Sequence, residues 1–130
     1  MQADQPGQSL RSIRGAIQVE HNQRRAILDA TRTLLQAILE QNQLSVEHLI
    51  AATFSVTADL DQAYPAEAAR QMGWNEVGML CVQEMAVQDS LARCIRVMIL
   101  CRSSRPQATI AHCYLGGAAV LRPDWRSKIE

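Results

Sequence analysis

The segment Arg93-Cys-Ile-Arg-Val-Met-Ile-Leu-Cys101 holds the side chain with the clearest chemical consequence in the sequence, Arg96. Strand alternation sets Cys94, Arg96, Met98 and Leu100 on one face and Ile95, Val97, Ile99 and Cys101 on the other. Both faces are apolar apart from the arginine, so both are expected to be covered, one by helices and the other by further copies of the chain. A desolvated guanidinium without a partner costs several kcal/mol, and Arg96 therefore requires an anion. That anion is either an internal acid, Glu84 being the candidate, or a ligand for which Arg96 is the receptor.

Neighbouring residue types bear on that choice. Arg14 is expected at the end of a first strand beside Gly15, and Arg122 at the end of the last extended piece, before Pro123. Several arginines at strand ends suit a small dianionic molecule, because the planar fork pairs bidentately with carboxylates. Glu84, directly after a predicted strand, can accept a hydroxyl proton while remaining ionised, or can be a surface loop acid. Tyr64 and Tyr114 are candidate pocket linings, and Tyr114 is equally compatible with a core position. His21, His48 and His112 fall on a helix start, a short helix and a strand, with no G-x-S-x-G element to complete a triad, and are read as solvated or structural. Neither a G-x-G-x-x-G nor a P-loop pattern occurs, and the cysteines Cys81, Cys94, Cys101 and Cys113, spaced 13, 7 and 12 apart, have no zinc-ligand rhythm. No metal or cofactor is expected. The cysteines read as reduced thiols of a cytoplasmic protein.

These residues must be positioned by a small framework. At 130 residues and 48% hydrophobic composition, one globular domain with one core is expected. Thirteen basic residues, all arginine except Lys128, balance thirteen acidic ones, which argues against a polybasic nucleic-acid surface; aromatics are scarce as well. Residues 1–11 are expected to form a mobile extension lacking the basic start and apolar stretch of a signal peptide, 12–124 the domain, and 125–130 a mobile tail. No run of 18 apolar residues could span a membrane.

Periodicity predicts strands over 12–20, 50–57, 76–82, 93–101 and 109–115. Ile27, Thr31, Leu34 and Ile38 recur at helical spacing and predict a long helix over about 22–41, with Asn22 as its N-cap. A short helical turn is expected at 45–49. A second helix is expected from Tyr64-Pro65 to Gly73, with proline at its first position and glycine just past its end. Gly116-Gly117 should break the chain before an extended piece over 118–122. The sum is an α/β (α+β) domain: a single mixed sheet of about five strands, one long helix and one or two short ones.

Taken together, Ile13-Arg-Gly-Ala16, Tyr64-Pro-Ala66 with Arg70, Cys81-Val-Gln-Glu-Met85, Cys94-Ile-Arg-Val-Met98, and Tyr114-Leu with Leu121-Arg-Pro-Asp124 resemble the monofunctional trimeric chorismate mutases of the pseudo-α/β-barrel type. The blocks span about Ile13 to Asp124 in one order. The resemblance implies a homotrimer with active sites at subunit interfaces, converting chorismate to prephenate on the route to phenylalanine and tyrosine, with no cofactor and no membrane or nucleic-acid partner. It implies that Arg96 meets the ether oxygen and a carboxylate, and that Glu84 accepts from the ring hydroxyl. Arg14 and Tyr114 would hold substrate, Cys81 and Leu121 would line the site, and Arg70 and Arg122 would serve entrance or closure. Tyr64 and Ala66 would form a wall from the neighbouring subunit. Where the family pattern has a lysine this chain has Glu67, which puts an electrostatic role for that wall in doubt. The residue inventory without the resemblance fits another class equally well, a non-catalytic trimer that senses a small carboxylate.

Overall fold

The computed structural model describes residues 7–125. Its elements are β1 (Ser9–Gln18), α1 (Arg24–Asn42), β2 (Leu49–Val56), α2 (Pro65–Gln71), β3 (Gly78–Gln83), β4 (Cys94–Ser103) and β5 (Cys113–Leu115), with 3-10 turns at Val46–His48, Gln107–Thr109, Gly116–Leu121 and Pro123–Trp125. The five strands form one mixed sheet in the order β3-β2-β4-β1-β5. β4 runs antiparallel to both β1 and β2, while β5 and β3 pair parallel at the two ends of the order. The predicted sheet of about five strands with one long helix is observed.

Alternation sorts the sheet into two faces. Ile13 and Ile17 of β1, Ala52 and Phe54 of β2, and Ile95, Val97, Ile99 and Cys101 of β4 point to one side. There they meet the Ile27–Leu34–Leu35–Ile38 stripe of α1 in a single core. Burying each of the Ile, Leu, Val and Phe side chains contributes about 1.5–3 kcal/mol, enough to impose the strand register. On the opposite face Leu80, Val82, Met98 and Leu100 are exposed. One end of that face is closed by the 116–121 turn, which buries Tyr114 with Ala16, Cys94 and Ala118.

Four local expectations change. β1 begins at Ser9, so residues 9–11, expected in the mobile extension, are paired with Cys101–Ser103. Residues 1–6 and 126–130, most of the remaining extension and most of the tail, lie outside the described residues. The helix starts at Arg24 with Gln23 in the cap position. Asn22 is diverted to the loop before α2, where its side chain donates to Asp61 Oδ1 (2.8 Å) and accepts from Asp61 N (3.1 Å). Of the strand expected over 109–115 only 113–115 pairs with β1, and the piece expected to be extended over 118–122 is helical, Arg122 closing the turn.

Arg14 sits within β1 rather than at its end, and Gly15 answers to packing inside the chain. A Cβ on Gly15 would lie 2.9 Å from Cys113 O, 2.9 Å from Ile38 Cδ1 and 3.1 Å from Leu34 Cδ1, so β5 and α1 approach the strand only because that side chain is absent. α2 has the expected ends, with Pro65 at its start and Gly73 at φ 90° just beyond its last turn.

Candidate active site

The cross-strand register creates the cleft. β4 places Arg96 opposite Ala16 of β1 and Ser55 of β2, and Met98 opposite Arg14 and Thr53. Arg14, Thr53, Ser55, Arg96 and Met98 share the open face and, with Glu84 and Tyr114, line a cavity of about 260 Å3. Glu84 follows β3 and is tied back to β2 twice: its backbone N–H donates to Val56 O (2.8 Å), and its carboxylate accepts from Ser55 Oγ (2.7 Å). The same Oε1 lies 3.2 Å from Arg96 Nε.

Both expected partners of Arg96 are thus compatible with its geometry. Nε is ion-paired with Glu84 but lacks hydrogen-bond alignment and is buried. The side chain as a whole is 37% exposed, so the guanidinium opens onto the cleft. An arginine has five N–H donors, and a contact at Nε leaves those on the two terminal nitrogens for an incoming anion. Cys94, beneath, has its thiol pushed above the ordinary range by burial first, with Arg96 acting in the opposite sense and Glu84 in the same sense.

The C-terminal turns adjoin the cleft through Tyr114. Arg122 is paired with Asp124 through Nε (3.1 Å) and Nη2 (2.7 Å), which holds Asp124 below and Arg122 above their usual ranges. Tyr114 also lies within electrostatic range of Arg122, and Leu121 packs against the cluster that buries Tyr114. Tyr114 is therefore both a buried residue and a wall of the cleft. Arg14, Glu84, Arg96 and Tyr114 converge, with Leu121 and Arg122 adjoining.

The other expected residues stand elsewhere in the chain. Pleating puts Cys81 opposite Phe54, on the helix side of the sheet, one residue from Val82 on the open side. There it lines a separate cleft of about 660 Å3 with Tyr64, Arg24 and Glu67. Tyr64 is exposed at the N-cap of α2, Ala66 is packed in the core, and Arg70 is exposed on α2. Glu67, the departure from the family pattern, is clasped by Arg24: Nη1 donates to Oε1 at 2.7 Å and Nη2 contacts Oε2. This guanidinium holds the Glu67 carboxyl below its usual range, so the acid stays ionised beside its partner.

Ser55, Thr53 and Arg24 carry no signal in the sequence that marks them as site residues, and His112 reads there as solvated or structural. Periodicity predicts the strand holding Thr53 and Ser55, but only the β2–β4 register brings Ser55 against Glu84 and Arg96. Arg24 reads as part of a solvated helix face until α2 packs beside it.

Comparison with known proteins follows the same outline. Residues 10–125 match the family model described as chorismate mutase type I. The chain is similar to two curated proteins called chorismate mutase AroH. That of Thermus thermophilus is 49% identical over 119 residues, covering 91% of this chain and 98% of the relative. That of Bacillus subtilis (strain 168) is 42% identical over 116 residues, covering 88% and 91%. The solved structure of a chorismate mutase from Clostridium thermocellum Cth-682 superposes with a TM-score of 0.83 at 42% identity, covering 84% of this chain and 97% of that one.

Proposed function

The chain belongs to the type I chorismate mutase family and is a chorismate mutase, and from that premise we propose that chorismate rearranges to prephenate in the Arg96 cleft. The observation that carries this reading is a guanidinium fixed at one nitrogen by Glu84 and open on its remaining side, between Arg14 and Tyr114. An intramolecular Claisen rearrangement breaks a C–O bond as a C–C bond forms and exchanges no proton with the protein. What the site must supply is a folded substrate conformer and charge where charge develops.

As the ether C–O bond breaks, partial negative charge accumulates on its oxygen. A preorganised Arg96 stabilises that state more than the ground state. Glu84, held by Ser55, accepts from the ring hydroxyl, and Arg14 and Tyr114 hold a carboxylate end. Conformational restriction and charge stabilisation together need to supply about 8 kcal/mol, the lower end of enzymatic accelerations.

The second cleft completes the site from a neighbouring copy. Within one chain the sheet separates Tyr64, Ala66 and Cys81 from Arg96, while Leu80, Val82, Met98 and Leu100 leave the open face uncovered. In this reading three copies pack these open faces around a pseudo-α/β-barrel core, bringing the Tyr64–Cys81 wall of one protomer to the Arg96 cleft of the next. Arg70 and Arg122 flank the entrance or serve its closure. The Arg24–Glu67 pair makes the wall electrically neutral.

The four cysteines are free thiols, and no helix among the described residues is long and apolar enough to cross a membrane. We place the enzyme in the cytoplasm, where thiols stay reduced. A purely carboxylate-sensing trimer is not favoured, because both curated relatives are chorismate mutases. Mixing the protein with chorismate and following loss of its absorbance tests the activity, and a native mass tests the trimer. Binding without turnover would overturn the catalytic reading.

A further inference from the structure

Beside the cleft, the segment leading into β5 is held by a polar clamp that the reaction as described above does not use. Asn42, the last residue of α1 and only 3% exposed, donates through Nδ2 to Ala111 O (2.9 Å) and to Ile38 O (2.9 Å), and accepts at Oδ1 from Ala111 N (2.8 Å). Both backbone groups of Ala111 are thereby fixed to the helix. The next residue, His112, turns its ring toward β1, where Nδ1 accepts the backbone N–H of Arg14 at 2.9 Å. Pairing between β1 and β5 begins only at Gly15 and Cys113, so at Arg14 a ring nitrogen provides the acceptor.

A backbone N–H can only donate, so Nδ1 carries no proton and the neutral ring bears its hydrogen on Nε2. The charged groups around this ring among the described residues are Arg14 of β1 and Arg122 beyond the last turn of the site, both cations. Together with burial, the leading cause, they keep the imidazole below its ordinary pKa. Asn42, the contact from α1, is neutral. The ring therefore stays an acceptor under the conditions in which a dianion would bind.

We infer that His112 is a positioning residue: carried by the Asn42–Ala111 clamp, its Nδ1 fixes the backbone of Arg14 and so sets where that guanidinium meets the substrate's carboxylate. The inference rests on the reading of the Arg14 cleft as the chorismate site. Any displacement of β1 at this residue moves the base of the Arg14 side chain directly, and a misplacement of substrate-binding groups is felt in affinity before it is felt in the bond-breaking step.

Two substitutions separate this role from simple packing. His112→Asn keeps an acceptor oxygen at the place of Nδ1 with a smaller side chain, and His112→Phe keeps the ring and removes the acceptor. With one hydrogen bond lost, KM for chorismate rises about three- to tenfold in His112→Phe while kcat stays within about twofold, and His112→Asn stays close to the parent in both. Parent-like KM in the Phe variant, or an Asn variant as impaired as the Phe variant, would overturn the inference. If His112→Phe fails to assemble, hydrogen exchange at the Arg14 amide in His112→Asn decides: protection equal to the parent supports the role, and fast exchange refutes it. Arg14→Ala separates this inference from its premise. Unchanged KM in Arg14→Ala would remove the site reading itself, whereas raised KM there with a parent-like His112→Phe removes only the role of His112.

Discussion

Replacing Arg96 by lysine keeps the charge and changes its shape, which makes it the sharpest probe of the cleft. Arg96 Nε lies 3.2 Å from Glu84 Oε1, and that oxygen also receives the Ser55 hydroxyl at 2.7 Å. The guanidinium can face Glu84 with one nitrogen and the substrate with the other two, because all three lie in one rigid plane. An ammonium has a single nitrogen on a flexible stem, and its donors diverge. Placed here, it faces either the resident carboxylate, already held by the Ser55 hydroxyl, or the ether oxygen, with no planar fork to join them. Transition-state stabilisation by one preorganised donor is worth about 2.7–4 kcal/mol, so kcat in Arg96→Lys is expected to fall by roughly 10²–10³. Arg96→Ala should lose at least as much. The assay is loss of chorismate absorbance at saturating substrate, with native mass and far-ultraviolet circular dichroism confirming an intact assembly. A lysine enzyme within about tenfold of the parent would show that a point charge suffices and would refute the bidentate argument.

Three further outcomes follow from particular contacts. Leu80→Glu puts a charge on the open face where Leu80 is 60% exposed in the isolated chain, and native mass should shift from trimer toward monomer with parallel loss of turnover; an unchanged mass would remove this face from the interface. Gly15→Ala brings a methyl within 2.9 Å of Cys113 O and of Ile38 Cδ1, and a destabilisation of about 1–3 kcal/mol should appear in chemical denaturation, an unaltered midpoint showing that β5 and α1 can yield. His112 has its pKa lowered on folding, so the unfolded chain takes up the proton first and stability falls as pH drops through the unfolded value of about 6.5. Melting temperature followed from neutrality to about pH 5 should show this slope in the parent and a smaller one in His112→Asn; equal slopes would assign it to other groups.

Much of this protein was legible in its residue order because the signals were local and redundant. The α1 stripe repeats Ile27, Leu34 and Ile38 over several turns, and the Pro65 and Gly73 punctuation bounds α2, so neither helix depends on distant context. β4 alternates so strongly that Arg96 was identifiable as the polar exception on an apolar strand, and the ordered blocks from Ile13 to Asp124 carried the family resemblance. Boundaries fared worse wherever a tertiary partner overrode local preference: Asn22 caps no helix because Asp61 claims its amide, and 118–122 curls into a 3-10 turn over Tyr114 despite its aliphatic residues.

Sequence by itself determined which residue types were present for chemistry and which segments would form strands and helices, since hydrophobic periodicity and side-chain donor inventories are properties of the chain. Only tertiary structure decided which of those residues meet. The β2–β4 register set Ser55 and Glu84 against Arg96, the period of the pleat sent Cys81 to the opposite side of the sheet, and the Asn42 clamp turned His112 from an apparently ordinary strand residue into a partner of Arg14. Such juxtapositions depend on contacts between positions tens of residues apart, and no local pattern encodes them, because the free energy that selects them comes from burying the whole core at once.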